Sequence, residues 1–358
     1  MRELAESVRT VLLDLPPKGG PHRKAPRESI SALALREDSL FLGSDEGIVL
    51  DRLTRTGDDR FASPRAFPIL DLLDLPNRTG EDDEIDIEGM DIEGDVLWLV
   101  GSHTWTRGKP EDDPPRDLEK VRPNPNRHVL ACLPLLPDGK GLYALPEGGE
   151  RAPGIARLPI GKKQGELAKA LKRDAHLGPF RKIPSKENGF DVEGIAARGS
   201  RLLLGLRGPV LRGVAIVLEL AAEPKTDGEL ALHPLGPDDR CYRKHFLDLG
   251  GNGVRDLHRH GDDLLILAGP TASIDGRCSI WRWRDAWGEK ADSFTGVGGR
   301  LQQLIRIPVG VDADHPEGIH VLPGTDGREV MVVYDAPAKS RREGKGAVRA
   351  DVFTLPPR

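Results

Sequence analysis

Five segments of the chain share one arrangement of apolar and polar positions. Each has an apolar stretch, a short turn rich in Asp, Gly or Ser, and a second apolar stretch that ends in Gly or Asp. This pattern is typical of two antiparallel strands joined by a hairpin turn. The segments begin at Ser31, Glu88, Glu193, Arg255 and Glu317. Further strand-like runs, such as VAIVLEL (214–220) and SIWRW (279–283), predict a repeating unit of about four antiparallel strands.

The spacing of the segments predicts the number of units. Successive segments start 57, 105, 62 and 62 residues apart. The long interval has room for a sixth, degenerate unit, but it also contains two insertions, 107–127 and 161–189, whose removal leaves 55 residues. Five units is the simpler interpretation. The second insertion contains GELAKALKRDA (165–175), whose apolar positions predict a short packed helix.

The two ends of the chain are predicted to close the units into a ring. The 42 residues from Glu317 onward contain three strand-like runs, one fewer than a full unit. The N-terminal run VRTVLLDLP (8–16) resembles the runs that end other units and can supply the fourth strand. A ring completed by strands from both termini has no free sheet edge. We therefore predict an all-β fold, a single β-propeller domain over residues 1–358 with five blades and a short helical insertion.

The composition agrees with many short strands and narrows the range of partners. Gly and Pro, 42 and 30 of the 358 residues, are turn formers spread along the whole chain. A net charge of −5 argues against broad affinity for nucleic acid, and no apolar run is long enough to span a membrane. Three scattered cysteines and a start without signal-peptide character predict a cytoplasmic protein with reduced thiols. We therefore expect neither a nucleic-acid nor a membrane partner.

Polar residues recur where the predicted hairpins begin and end. In an antiparallel hairpin, the start of the first strand and the end of the second lie at the same end of the sheet. These residues should therefore surround one mouth of the central channel, where both insertions also emerge. The strand starts contribute Glu88, Glu193, Arg255, Asp256 and Glu317, and the strand ends contribute Asp45, His103, Arg207 and Asp335.

Carboxylates mixed with Arg and His around one concavity suit a polar or anionic ligand, or a metal held by carboxylates. For any single residue there is a structural alternative, in which its carboxylate only accepts hydrogen bonds from backbone amides of the neighbouring blade. For the ring as a whole, the sequence favours a ligand site.

Several of these runs also resemble a known family. EGMDIEGDVLWLVGSHTWTRGKP, VEGIAARGSRLLLGLRGPVLRGVAIVLEL and DLGGNGVRDLHRHGDDLLILAGP closely resemble a bacterial group, domain-of-unknown-function family 3616, in a match that spans residues 28–336. This resemblance implies a β-propeller-like protein and supplies no activity. The D-x-E-G starts are more distantly similar to phytase-like and esterase-like propeller proteins, which implies calcium and a phosphoester or ester substrate. The positions that match the motifs are Glu88, His103, Glu193, Arg207, Arg255 and Glu317.

Three functional hypotheses follow for the channel mouth. In the first, a hydrolase of a small anionic ester or phosphoester, Arg207 and Arg255 would bind the anion. Glu88, Glu193 and Glu317 would either hold an optional divalent cation such as calcium or act as general base, and His103 would donate a proton. The second is a non-catalytic propeller that binds a small anionic ligand or a protein partner. The third is a glycosidase that uses two of the carboxylates. The candidate catalytic residues are Glu193, His103 and Glu88, and the candidate substrate-binding residues are Arg207, Arg255, Asp256 and Glu317.

Overall fold

The computed structural model describes residues 3–78, 84–147, 152–272, 276–311 and 313–357. The strands of the first half of the chain are β1 (Arg9–Asp14), β2 (Ile30–Arg36), β3 (Ser39–Ser44), β4 (Val49–Gly57), β5 (Arg60–Pro68), β6 (Ile87–Glu93), β7 (Val96–Gly101), β8 (Trp105–Arg107), β9 (Val121–Pro123), β10 (Leu130–Pro134), β11 (Leu136–Pro137), β12 (Tyr143–Ala144) and β13 (Ala156–Arg157). Those of the second half are β14 (Asp191–Arg198), β15 (Arg201–Gly208), β16 (Ala215–Pro224), β17 (Leu230–Leu232), β18 (Tyr242–Leu247), β19 (Gly253–His260), β20 (Asp263–Gly269), β21 (Cys278–Trp283), β22 (Ser293–Thr295), β23 (Leu301–Ile307), β24 (His315–Val321), β25 (Glu329–Asp335), β26 (Arg342–Glu343) and β27 (Ala347–Thr354). Three short α-helices are α1 (Ile69–Leu72), α2 (Pro114–Glu119) and α3 (Glu166–Ala170).

The principal strands form five antiparallel units of four strands each, which we number in chain order. Unit 1 contains β2–β5, unit 2 contains β6, β7, β10 and β13, and unit 3 contains β14, β15, β16 and β18. Unit 4 contains β19, β20, β21 and β23, and unit 5 contains β24, β25, β27 and β1. Each of the five repeated segments of the sequence forms the first two strands of one unit, as the hairpin pattern predicts.

The units are arranged in a closed ring. The first strands of neighbouring units are in contact in the cyclic order β2, β6, β14, β19, β24 and back to β2. Five buried apolar clusters separate the sheets, one between each pair of neighbouring units, including the pair formed by units 5 and 1. Both faces of each sheet are thus covered, which explains why the strands are continuous apolar runs rather than strict alternations. The predicted all-β propeller is confirmed, and the grouping of the strands supports the predicted five blades.

Strands from the two ends of the chain close the ring. β1 pairs with β27 in antiparallel register from Arg9 with Val352 to Asp14 with Ala347, so the N-terminal run supplies the outermost strand of unit 5. β1 also pairs in parallel with β5 of unit 1 through Leu12 and Leu13. Because the ends of the chain hold each other by backbone hydrogen bonds, closure does not depend on side-chain packing alone.

The two insertions contain most of the helical residues. α2 lies in the first insertion, and α3 lies in the second, where it continues as a 3₁₀ turn over Leu171–Arg173. Leu167, Ala168 and Leu171 are buried, which agrees with the packing role predicted for this helix. Asp174 then accepts hydrogen bonds from Tyr242 Oη and Lys244 Nζ, and so attaches the insertion to unit 3. In the ranges given above, no helix is long and apolar enough to cross a membrane.

Candidate functional site

A β-bulge lies at the same place in the first strand of every unit. In each hairpin the pairing shifts by one residue near the start of the inner strand, so one residue there has no partner on the second strand. Bulges of this kind re-aim a side chain and are common beside active sites. The five unpaired residues are Ser31, Glu88, Glu193, Arg255 and Glu317. A second bulge in the unit 3 hairpin leaves Arg207 of β15 unpaired in the same way.

The glycine that follows the bulge in three units has a packing reason. A Cβ atom at Gly194 would lie 2.7 Å from the backbone nitrogen of Leu257 in unit 4, and one at Gly89 would lie 2.9 Å from that of Ile195 in unit 3. Real Cβ atoms do not approach backbone atoms so closely, so the inner strands need glycine in order to meet. Glu-Gly and Asp-Gly pairs often form turns. The Glu-Gly pairs at these bulges do not, because they lie within the inner strands.

The bulged side chains converge on one cavity of about 390 Å³. All five bulge residues and Arg207 line it, together with residues from the strand ends and from the second insertion. Its other polar or ionisable residues are Asp45, Lys186, Cys278, His315 and Asp335. The volume lies near the lower end of the range for small-molecule sites. The predicted convergence of strand starts and strand ends is therefore present at this mouth of the ring.

The side of the cavity formed by units 3 and 4 holds two arginines, and we call it the arginine side. Arg207 Nη1 donates to Glu193 Oε1 at 2.6 Å, and its Nε donates to the carbonyl of Thr271 at 3.1 Å. Arg255 Nε lies 3.0 Å from Glu193 Oε2, and its Nη2 pairs with Glu317 Oε1. Glu193 thus joins the two guanidinium groups, and Arg207 Nη2 and Arg255 Nη1 have no partner among the described residues.

The two guanidinium groups respond differently to this environment. Burial alone would lower the pKa of Arg207, but attraction to Glu193 and Asp191 outweighs it and raises the pKa above its usual range. Burial lowers the pKa of Arg255, although Glu193 opposes that effect. An arginine remains charged in both cases. The arginine side therefore presents two fixed cations.

Units 5, 1 and 2 form the opposite side of the ring, which carries Asp335, Asp45 and Glu88, and we call it the acidic side. None of these three carboxyl groups has an ion pair within the described ranges, and the only hydrogen bond among them is from the backbone N–H of Ala336 to Asp335 Oδ1, at 2.7 Å. Burial and the charges of Asp86 and Glu193 raise the pKa of Glu88 well above its ordinary value. Burial and Asp335 do the same to the pKa of Asp45, and burial also raises that of Asp335. These groups therefore retain protons to a higher pH than ordinary carboxyl groups.

The residues that the structure describes include no group of three or more His, Cys, Asp or Glu arranged to hold a metal ion. The carboxylates of the acidic side share a cavity without converging on one point. The optional divalent cation considered from the sequence therefore has no assembled ligand set in the described part of the chain.

Two of the predicted site residues lie away from the cavity lining. Asp256 accepts hydrogen bonds from the backbone N–H groups of Leu257 at 2.7 Å and Ile319 at 2.8 Å, and so connects units 4 and 5. His103 is 1% exposed, with its Nε2 3.2 Å from the carbonyl oxygen of Val129 and its ring edge-to-face with His128. Burial and the neighbouring His128 hold the pKa of His103 well below its ordinary value. The predicted substrate-binding and proton-donor roles of these two residues stay predictions that the geometry does not support.

Some cavity residues were not selected from the sequence. Asp45 and Asp335 were placed at the mouth as strand ends but were not chosen as site residues. Ser31 occupies the bulge position of unit 1, and the alignment of the repeats contained that signal. Lys186 reaches the cavity from the second insertion, and no pattern in the sequence indicates it.

A model of the family described as "Protein of unknown function (DUF3616)" matches residues 29–351. A search of curated protein sequences gave no match. Among solved structures, glutaminyl cyclase of Myxococcus xanthus is similar, with 12% identity, a TM-score of 0.41, and coverage of 98% of this chain and 100% of that chain. A β-fructofuranosidase of Bombyx mori has 12% identity, a TM-score of 0.40, and coverage of 98% and 65%. A periplasmic gluconolactonase of Pseudomonas aeruginosa has 14% identity, a TM-score of 0.34, and coverage of 91% and 74%. Similarity at this level does not identify a shared function.

Proposed function

The chain belongs to the family described as "Protein of unknown function (DUF3616)", which assigns no activity, and from the cavity we propose that the protein hydrolyses a small anionic ester or phosphoester. The observation that carries the proposal is the cavity itself, where two arginines and Glu88 meet; among the described residues, one nitrogen of each arginine and the carboxyl group of Glu88 have no partner. Arginine forms paired hydrogen bonds with phosphate and carboxylate groups, so the arginine side is suited to bind the anion.

Glu88 is the candidate for proton transfer. Its carboxyl group faces the cavity and has no hydrogen bond to any described residue, so it is free to contact a substrate or a water molecule. A carboxyl group whose pKa is raised holds a proton more strongly than an ordinary one, so it can take a proton from an attacking water and return it to the leaving oxygen. Negative charge that develops on the substrate during this attack would be stabilised by Arg207 and Arg255.

Glu193, which was also a candidate catalytic residue, has a different role in this proposal. Both of its carboxylate oxygens face an arginine, so it is not available as a base. It is a positioning residue that holds the two guanidinium groups in place. Glu317 acts similarly on Arg255 alone.

The test is a hydrolysis assay with p-nitrophenyl phosphate, bis(p-nitrophenyl) phosphate and a p-nitrophenyl ester with a free carboxylate. We expect the Glu88→Gln variant to lose about 10²- to 10⁴-fold in kcat with little change in KM, which is the usual contribution of a proton-transfer group. Arg255→Gln should raise KM and also lower kcat, because Arg255 contacts both the bound anion and the charge that develops during the attack. Glu229→Gln, on the exposed β17 side of unit 3, is the matched control and should behave as wild type.

Two results would overturn the hydrolase proposal. One is the absence of turnover for all three substrates, and the other is equal turnover by wild type and Glu88→Gln. If Arg255→Gln still weakened the binding of inorganic phosphate in either case, the second hypothesis would replace the first, since the two arginines can bind an anion without chemistry. The glycosidase hypothesis has no support from the cavity lining, which contains no Trp, Tyr or Phe among the described residues.

A further inference from the structure

The arginines and the unpaired carboxyl groups lie on opposite sides of the cavity. Hydrolysis of an anion does not require this separation. The cationic side chains of units 3 and 4 face three unpaired carboxyl groups from units 5, 1 and 2. A ligand with only a negative charge would be attracted by Arg207 and Arg255 but repelled by Asp45, Glu88 and Asp335. The arrangement therefore selects against simple anions unless the acidic side has a partner of its own.

The acidic side has an unsatisfied requirement for a hydrogen-bond donor. Asp45 Oδ1 is completely buried and has no hydrogen-bond partner in the described structure. Most buried polar atoms have a hydrogen-bond partner, so one without a partner usually has a function or a bound molecule. Among the described residues Asp45 has no ion pair, and neither have Glu88 and Asp335, so a molecule that enters the cavity can supply the donor.

The chemistry of the three carboxyl groups favours an organic cation over a metal ion. Calcium needs several oxygens at 2.3–2.6 Å from one point, and no such cluster is present among the described residues. An alkylammonium group has three N–H donors that point in different directions. One of them at about 2.7–2.9 Å from Asp45 Oδ1 would supply the missing donor, and one or two carboxylates are enough to hold an ammonium group, whereas a metal ion needs several oxygens at once.

We propose that the ligand of this cavity is zwitterionic, with an anionic group bound by Arg207 and Arg255 and an ammonium group bound by Asp45 and Asp335. This inference rests on the proposed anion-binding function, and it adds that the substrate also carries a positively charged group. The volume of about 390 Å³ restricts the ligand to a small molecule. An aminoalkyl phosphate ester and an amino acid ester both belong to this class.

The experiment compares three matched probes by thermal-shift titration: 2-aminoethyl phosphate, ethyl phosphate and ethylamine. We expect 2-aminoethyl phosphate to bind at least tenfold more tightly than ethyl phosphate, and ethylamine not to bind detectably. A second zwitterion, 3-aminopropyl phosphate, tests the distance between the two sides. Calcium chloride is added as a separate titration, and calcium should not stabilise the protein.

Variants assign the preference to the acidic side. Asp45→Asn and Asp335→Asn should each reduce the preference for the zwitterion to less than threefold while the affinity for ethyl phosphate stays the same or improves. Arg255→Gln should weaken both phosphates. Asp227→Asn is the matched control, because Asp227 is an exposed aspartate that accepts only the backbone N–H of Glu229.

The outcomes separate this inference from the function on which it rests. Equal affinity for ethyl phosphate and 2-aminoethyl phosphate would overturn the zwitterion and leave the anion site intact. Stabilisation by calcium that disappears in Asp45→Asn would also overturn it and would assign the acidic side to a metal. Binding of none of the phosphates would remove both the anion site and the zwitterion.

Discussion

Glu88 and Glu193 occupy the same bulge position in neighbouring units, yet their surroundings are opposite. Glu193 is 2% exposed and lies between two arginines, with Oε1 accepting a hydrogen bond from Arg207 and Oε2 3.0 Å from Arg255 Nε in an ion pair. Glu88 has no cation within ion-pairing distance in the described structure, and the nearby charges that raise its pKa are other carboxylates. The same residue type at the same bulge position is therefore an ion-pair partner of two arginines in unit 3 and a carboxyl group with a raised pKa in unit 2.

This comparison shows how a repeated fold can carry a single asymmetric site. The bulge aims one side chain per unit at the channel mouth, and the backbone does so whichever residue is present. The difference between units comes from the residue type at that position, with Arg255 in unit 4 and Ser31 in unit 1. Exchanging charges at these positions should therefore change the site without changing the architecture.

The largest difference is expected when each of the two glutamates is neutralised. Glu193→Gln leaves the buried guanidinium groups of Arg207 and Arg255 without the carboxylate between them, and removal of one partner of a buried ion pair costs about 3–5 kcal/mol. Because Arg255 retains Glu317, we expect a loss of about 3 kcal/mol in the free energy of unfolding, measured by urea denaturation at pH 7. Glu88→Gln should show no loss. A similar loss in both variants would mean that the environments of the two residues are alike.

The sequence predicts the fold more fully than it predicts the roles of the individual site residues. The apolar repeats predicted the hairpins, the ring and its closure by β1, because burial between sheets imposes the same pattern on every unit. The convergence of Glu88, Glu193, Arg207, Arg255 and Glu317 followed from hairpin geometry alone. The roles did not follow, because whether a carboxylate is paired depends on contacts between residues far apart in the chain, such as Arg255 with Glu317.

Two neighbouring residues, Arg255 and Asp256, also have different roles that the sequence pattern does not predict. Arg255 and Asp256 are predicted together as substrate-binding residues because both lie at the start of the first strand of the same hairpin. The bulge ends between them, so their side chains leave the strand in different directions, Arg255 to the cavity and Asp256 to the backbone of unit 5. The two roles differ because the bulge shifts the pairing by one residue, and the alternation of apolar and polar residues in a strand does not predict where a bulge lies.

Asp256→Asn tests that separation, with a smaller expected effect. An amide oxygen can replace only one of the two carboxylate acceptors, and its NH₂ group would face a backbone donor. One of the N–H groups of Leu257 and Ile319 would then stay unsatisfied, at a cost of about 1–3 kcal/mol in the free energy of unfolding. The affinity for ethyl phosphate should not change. Loss of phosphate affinity without loss of stability would restore Asp256 to the binding site.

The smallest expected effect is the pH dependence that distinguishes the acidic side from the arginine side. Burial, Asp86 and Glu193 raise the native pKa of Glu88 above the ordinary value of 4.5, so between those two values the native state holds a proton that the unfolded chain has released. Stability from this group is therefore fully present below about pH 4.5 and is lost as the pH rises through the native pKa. Asp45 and Asp191 have raised pKa values and act in the same direction.

The melting temperatures of wild type and Glu88→Gln, measured from pH 4.5 to pH 8 at constant ionic strength, give this contribution as a difference. Wild type should lose stability with rising pH more steeply than the variant, since the amide that replaces the carboxyl group cannot ionise and no longer repels Asp86 or Glu193. Glu229→Gln, which removes an exposed carboxylate paired with Lys225, should run parallel to wild type. If Glu88→Gln also ran parallel, Glu88 would be an ordinary ionised carboxylate, and both its proposed role in proton transfer and its contrast with Glu193 would be lost.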